Sequence, residues 1–231
     1  MKIAIVTYSD DKERYKKGQQ RQEESLRSVG FTGDYYHFHS FEEIGSPTHE
    51  EVPYAFKPYA IQKVRAMGYD LVLWMDSPVY ATKSLDTLFA AIESKRVLLF
   101  DNIGYSIGDY TSDQCLKLLG MGREESFNHP MIMACVMGFD FRTVRANAFF
   151  NSYFDWTKTK GAYEGDWFNY DQQVSTDKRV HGHRHDQSVA SIVAVKMNVA
   201  PIIPHHTYLA YFGNAGHLPH ADSVCLISAG F

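Results

Sequence analysis

Residues 54–88, YAFKPYAIQKVRAMGYDLVLWMDSPVYATKSLDTL, decide the fold. In Lys57-Pro58 the proline opens a helix, because its missing N–H would have had no partner in the first turn and its φ is already helical. Ile61, Val64 and Arg65 follow at three- and four-residue spacing, and Gly68 closes the pattern. Leu71 to Met75 is then a short unbroken apolar run, the pattern of a strand buried on both faces in a parallel sheet covered by helices. Asp76 follows at once, placing a carboxylate at the strand's carboxyl end, where open α/β sheets bind their ligands.

The flanks repeat this alternation. Lys2 to Thr7 reads as a first central strand, Asp11 to Val29 as a polar helix closed by Gly30, and Asp34 to His39 as a second strand of alternating aromatic and polar residues. Phe41 to Pro53, with Gly45, two prolines and several acids, reads as a loop folding over a site. Downstream, Ser84 caps a helix, and Val97 to Phe100 and Met131 to Phe139 read as strands. Thr143 to Thr157 reads as a helix with an aromatic face, Ala162 to Arg179 as a polar, aromatic-bearing insertion, and His185 to Val195 as a last helix. Beyond Pro204 the tail is rich in His, Gly and Tyr and has no period. Strands alternating with helices predict an α/β fold with a mostly parallel, right-handed sheet flanked by helices. No repeat, low-complexity run or linker divides the chain, so residues 1–231 are expected to form a single domain.

Composition narrows the function classes. A chain of 231 residues that is 45% apolar and 14% aromatic buries a substantial core. A net charge of −4 without a dense Lys/Arg block argues against a nucleic-acid or membrane-surface partner, while leaving room for a few cations around a small anion. Cys115, Cys135 and Cys225 are odd in number, widely spaced and without a CxxC, so neither a disulfide framework nor a zinc knot is indicated, and a reducing compartment fits. Met1-Lys2 passes directly into Ile3-Ala4-Ile5-Val6, and no apolar run reaches membrane-spanning length, so the expectation is a cytoplasmic protein with no membrane span. GxxxxGK[ST] is absent and no GxGxxG follows the first strand, which removes the main warrant for P-loop and dinucleotide-binding readings.

KPYAIQ and GYDLVLWMDSPVYATKSLDTLF together resemble the "KP…yd.vlWlDsD…l..L" segment of GT-A fold glycosyltransferases, small α/β enzymes that transfer a sugar from a nucleotide diphosphate. Met131 to Trp156 resembles the strand and helix that this family places on its acceptor side, and His185-Asp186-Gln187-Ser188-Val189 resembles its "hDQs" helix start. These matches span about two thirds of the chain in the family's order. The resemblance implies a GT-A-like domain with a nucleotide-sugar-binding half, 1–100, and an acceptor-side half, 101–231. It further implies a glycosyltransferase of hexosyltransferase type, with a UDP- or GDP-sugar as donor and a glycan or glycoconjugate as acceptor.

Sugar transfer requires the growing negative charge of the leaving pyrophosphate to be stabilised, by a divalent metal held by carboxylates or by cationic side chains. The family's D-x-D motif reads Asp76-Ser77-Pro78 here, and Pro78 has no ligand atom. By resemblance, Asp76 contacts the donor ribose and holds Mn2+ or Mg2+ with a late histidine; alternatively it contacts only the ribose while cations carry the pyrophosphate. His217, set among Gly213 and Gly216, is the candidate histidine, and His205, His206 and His220 compete with it or are surface residues of a polar tail. Lys57 is implied as a pyrophosphate or base-edge contact, its plain alternative being an exposed lysine before a proline. Thr7 and Tyr8 fall where the family receives base and ribose, and Ser77 joins them as a donor contact; a polar strand end is the ordinary reading.

Asp186 and Gln187 are the catalytic candidates. An inverting enzyme needs one carboxylate to take the acceptor hydroxyl's proton, whereas a retaining enzyme needs a polar group beneath the sugar ring. Asp186 also reads as a helix N-cap, and capping and catalysis are compatible. Asp166 is the second candidate base, and Trp156 and Trp167 are either sugar platforms or core. A rival from another class rests on His181-Gly182-His183-Arg184-His185-Asp186, which resembles the HxHxDH run of metallo-β-lactamase-type hydrolases with its last two residues reversed. Only 45 residues follow Asp186, too few for that family's downstream ligands. The broken D-x-D suggests a third reading, a nucleotide-sugar binder without turnover.

Overall fold

The computed structural model describes residues 1–204, 207–212 and 222–229. The first half runs β1 (Ile3–Tyr8), α1 (Glu13–Ser28), β2 (Asp34–Phe38), α2 (Phe41–Ile44), α3 (Phe56–Ala66), β3 (Leu71–Met75), β4 (Val79–Ala81), α4 (Asp86–Lys95) and β5 (Val97–Ser106). The second half continues with α5 (Asp113–Leu119), α6 (Arg123–Ser126), β6 (Pro130–Asp140), α7 (Val144–Asp155), α8 (Asp186–Lys196), β7 (Leu209–Phe212) and β8 (Leu226–Ala229). α1 and α3 end where expected, with Gly30 and Gly68 at φ of 73° and 82°, a backbone that a glycine adopts without a Cβ penalty.

The central sheet has the order β2-β1-β3-β6-β5. β1 is parallel to β2 and β3, and β6 is antiparallel to both β3 and β5, so the sheet is mostly parallel with β6 its one reversed strand. All five residues of β3 are buried. The unbroken apolar run has a simple cause, because strand alternation sends Val72 and Trp74 into one core layer and Leu71, Leu73 and Met75 into the other. The first layer packs the sheet against α3, α7 and α8 through Ile61, Val64, Phe149, Phe150, Tyr153 and Ile192. The second layer gathers Leu88, Phe89 and Ile92 of α4 with Leu209 and Leu226 from the tail. Gly138 of β6 leaves room for α4, since a Cβ there would stand 2.6 Å from Ile92.

Several local expectations change. The segment expected as a loop from Phe41 opens with α2, capped by Ser40 Oγ, which accepts from Glu43 N–H at 3.2 Å. Leu85, not Ser84, takes the N-cap of α4, although Ser84 Oγ accepts from Asp86 N–H at 3.2 Å. Asp186 is not a cap either: His185 holds that position with φ 49°, and Asp186 is the first residue of α8. β5 continues past Phe100 to Ser106. The tail, which shows no period in sequence, supplies β7 and β8, which join β4 in a second sheet of order β4-β8-β7, with β8 antiparallel to β4 and parallel to β7. Its strands have three or four residues each, too few for alternation to register. No described helix is long and apolar enough to cross a membrane.

Candidate active site

Four elements converge at the carboxyl end of β3. Asp76 leaves the strand with its N–H still bonded to Cys135 O of β6 at 2.8 Å, so the sheet ladder fixes its backbone. Trp74 Nε1–H donates to Asp76 Oδ1 at 2.7 Å. Lys57, in the first turn of α3, is only 4% exposed. Its Nζ stands 3.1 Å from Asp76 Oδ1 and 3.2 Å from Asp186 Oδ2, and donates to Ala134 O at 3.1 Å. Asp186 Oδ2 is buried with no other partner, so that contact is an ion pair. Burial alone would pull the Lys57 ammonium down, but the charges of Asp186 and Asp76 outweigh it and hold the pKa above the ordinary value. The same burial pushes the Asp186 carboxyl up to about 6, against the pull of Lys57.

Two clefts meet over this cluster. One, of about 580 Å³, runs past Tyr8, Lys12, Phe41, His49 and Phe56 to Ser77 and Pro78. The other, of about 210 Å³, is walled by Asn102, Cys135, Trp167, Arg184, Gln187 and Tyr211. Tyr54, Lys57 and Asp76 line both, and Asp186 lines the second. The larger cleft carries an aromatic wall, with Tyr8 stacked on Phe56 at 4.7 Å and on Phe41 at 5.5 Å. In the smaller, the Arg184 guanidinium lies between the rings of Tyr110 and Trp167, at 4.1 and 3.9 Å.

The backbone is strained on both sides of the junction. Tyr54, three residues before Lys57, has φ 61°, and His185, immediately before Asp186, has φ 49°. Bulky residues there cost about 1–3 kcal/mol each and persist only where packing over-determines them. Here that packing is mutual, because the two rings stack at 5.3 Å with 21° between their planes.

The sequence-derived candidates divide accordingly. Tyr8, Lys57, Asp76 and Ser77 line the larger cleft, and Asp186 and Gln187 the smaller. Thr7 does not join them: it is fully buried in β1, and its hydroxyl has no partner. Asp166 is exposed and lines neither cleft. Trp156 packs against the core, whereas Trp167 is 43% exposed at the second cleft. His217 and its competitors His205, His206 and His220 lie outside the described residues. The His181–Asp186 run does not gather into a metal cluster. His183 accepts from Ser112 N–H through Nδ1 and donates from Nε2 to Ala162 O, and His185 Nδ1–H donates to Tyr163 O. Burial pushes these imidazoles down to about 3 and about 4, so both are neutral. Among the described residues no group of three or more His, Cys, Asp or Glu is placed to hold a metal ion.

Sequence reasoning passed over Tyr54, Arg184 and Gln22. Gln22, fully buried in α1, donates from Nε2 to Asp76 O at 3.0 Å and Val79 O at 2.8 Å, and accepts from Tyr35 O–H at 2.9 Å. One signal was present: Gly18, Gln22 and Leu26 recur every four residues and form the buried stripe of an otherwise polar helix.

The chain matches no protein-family profile and no curated protein. Solved structures do match. One is a glycosyltransferase involved in glycosylation of the major capsid of PBCV-1, 14% identical with TM-score 0.57, the match covering 99% of this chain and 93% of that one. Mouse xyloside xylosyltransferase 1 is 10% identical with TM-score 0.56, over 98% and 96% of the two chains. The bifunctional glycosyltransferase WbbM is 12% identical with TM-score 0.54, over 93% of this chain but 40% of its own length. At such identities the likeness is one of fold, and the fold of this chain is GT-A-like, that of the glycosyltransferases it superimposes on.

Proposed function

We propose that this protein is a glycosyltransferase that moves a hexose from a nucleotide-diphosphate donor to a hydroxyl of a glycan or glycoconjugate. One observation carries the reading: a larger, aromatic-walled cleft and a smaller one meet at a single carboxylate on the rim of the sheet. The nucleotide of a UDP- or GDP-sugar takes the larger cleft, its base against the rings around Tyr8 and Phe56. Asp76, with its side chain 28% exposed, accepts hydrogen bonds from ribose or sugar hydroxyls. The acceptor enters beside Trp167 and Gln187 and presents its hydroxyl to Asp186, which takes the proton as the new bond forms at the anomeric carbon. The bond from that carbon to the diphosphate oxygen breaks, and Lys12 and Arg184, which line the two clefts, meet the charge released. Pro78 in the D-x-D position supports a second reading, a nucleotide-sugar binder without turnover.

The test is incubation with radiolabelled UDP- and GDP-hexoses, with and without oligosaccharide acceptors. Release of the nucleotide diphosphate is expected, together with its loss in Asp76→Asn at an unchanged circular dichroism spectrum. Binding without release would favour the second reading, and absence of both would end the proposal.

A further inference from the structure

Oxygens of three residues, each from a different element, surround one nitrogen at the junction of the clefts, and Asp76 contributes both of its own, Oδ2 accepting from Lys57 Nζ at 3.4 Å. Asp76 Oδ1 ends β3, Ala134 O belongs to β6, Asp186 Oδ2 opens α8, and all stand 3.1 to 3.2 Å from Lys57 Nζ. Two carboxylates and a carbonyl are hard oxygen donors, the set that Mg2+ or Mn2+ prefers. A divalent ion in a GT-A-like fold would be expected to bridge Asp76 and the donor. The residues described here do not fit one, because the convergent oxygens already surround a cation of the chain's own. The second D-x-D position does not restore the site: Pro78 lacks a ligand side chain, and its carbonyl accepts from Arg21 Nη2 at 2.8 Å.

We propose that the Lys57 ammonium is the resident cation of this site, so that Asp76 and Asp186 bind no divalent metal, and that a neutral residue at position 57 turns the same oxygens into a metal site. The physical case is one of competition. An ammonium held between a buried carboxylate, Asp186, and a half-buried one, Asp76, cannot share them with a divalent ion without strong repulsion. The aliphatic stem of Lys57, running through the first turn of α3, delivers the charge from inside the protein, so there is no ion to lose to solvent. Once the ammonium is removed, the carboxyl oxygens of Asp76 and Asp186 and a carbonyl are left facing one another at the junction of the clefts. Small shifts would then bring them to the oxygen distances of about 2.1 Å that Mg2+ requires. The proposed sugar transfer enters only in naming the metal this fold would be expected to carry.

The experiment reads metal binding without any donor sugar, so its failure is separate from failure of the transferase reading. MnCl2 is titrated into the chelator-treated wild-type protein, and bound Mn2+ is counted from the loss of the free-ion signal in electron paramagnetic resonance. The expected count is no Mn2+ at this site, with a melting temperature unchanged by millimolar MnCl2 or EDTA. Lys57→Met, which keeps the length of the stem, is expected to bind one Mn2+ and to melt several degrees higher with it, and Lys57→Met/Asp76→Asn is expected to lose both effects. A wild-type protein that binds one Mn2+ and loses it in Asp76→Asn overturns the proposal, even should Lys57→Met fail to fold. A folded Lys57→Met that takes up no Mn2+ overturns it as well.

Discussion

At the scale of single residues, the junction is governed by the balance of charges that have left water. Burying one ammonium or one carboxylate alone costs several kcal/mol, so Lys57 and Asp186 tolerate burial only as partners. Asp186 faces Lys57 on one side and the charge of Asp76 beyond it, and burial holds its carboxyl near 6, above its value in an unfolded chain. The folded protein therefore binds more protons than the unfolded chain between about pH 4 and about pH 6, and stability falls as pH rises through that window. Urea unfolding across this range should show Asp186→Asn relatively more stable at the upper end, by on the order of 2 kcal/mol. Equal slopes in wild type and variant would remove Asp186 as the responsible group. If Asp186 takes the acceptor's proton, turnover should rise with pH up to about 6, and the variant should lack that limb.

At the scale of elements, the position of Asp76 depends on a helix that the sequence shows as little more than charged surface. α1 lies against the turn from Asp76 to Val79, where the Gln22 amide satisfies two carbonyls and receives the Tyr35 hydroxyl from β2. One side chain thus joins α1, β2 and the rim of the central sheet. Gln22→Leu fills the same space but strands buried polar groups, and should lower stability by on the order of 2 to 4 kcal/mol, read as the urea midpoint. If the protein turns over a nucleotide sugar as proposed, that turnover should fall further than stability explains, because the turn that presents Asp76 is no longer held. A variant of unchanged midpoint would show that the amide bonds contribute nothing net.

At the scale of the whole molecule, the tail completes the second core layer. β7 and β8 close over β4 and the face of the central sheet, and Ile202 bridges to Phe100 on the way. Leu226, fully buried between Ala81 and Leu209, is the pin of that sheet, and Leu226→Ala should cost about 2–5 kcal/mol in thermal or urea unfolding. Little change would mean that the tail packs as an ornament on an independent core. Much of this architecture was legible in the chain itself. The run from Leu71 to Met75, with Asp76 after it and Lys57-Pro58 before it, determined a buried strand, its partner helix and a carboxylate at the rim, because burial on both faces demands unbroken apolar residues and a helix start tolerates proline. What the sequence could not determine was which distant groups meet. That Lys57 turns inward to two acids, that His183 and His185 bond to backbone carbonyls, that Thr7 is sealed in the sheet, and that a patternless tail supplies strands all follow from contacts between residues far apart in the chain. Periodicity reports only which face of an element is buried. The packing of elements alone decides what lies opposite it.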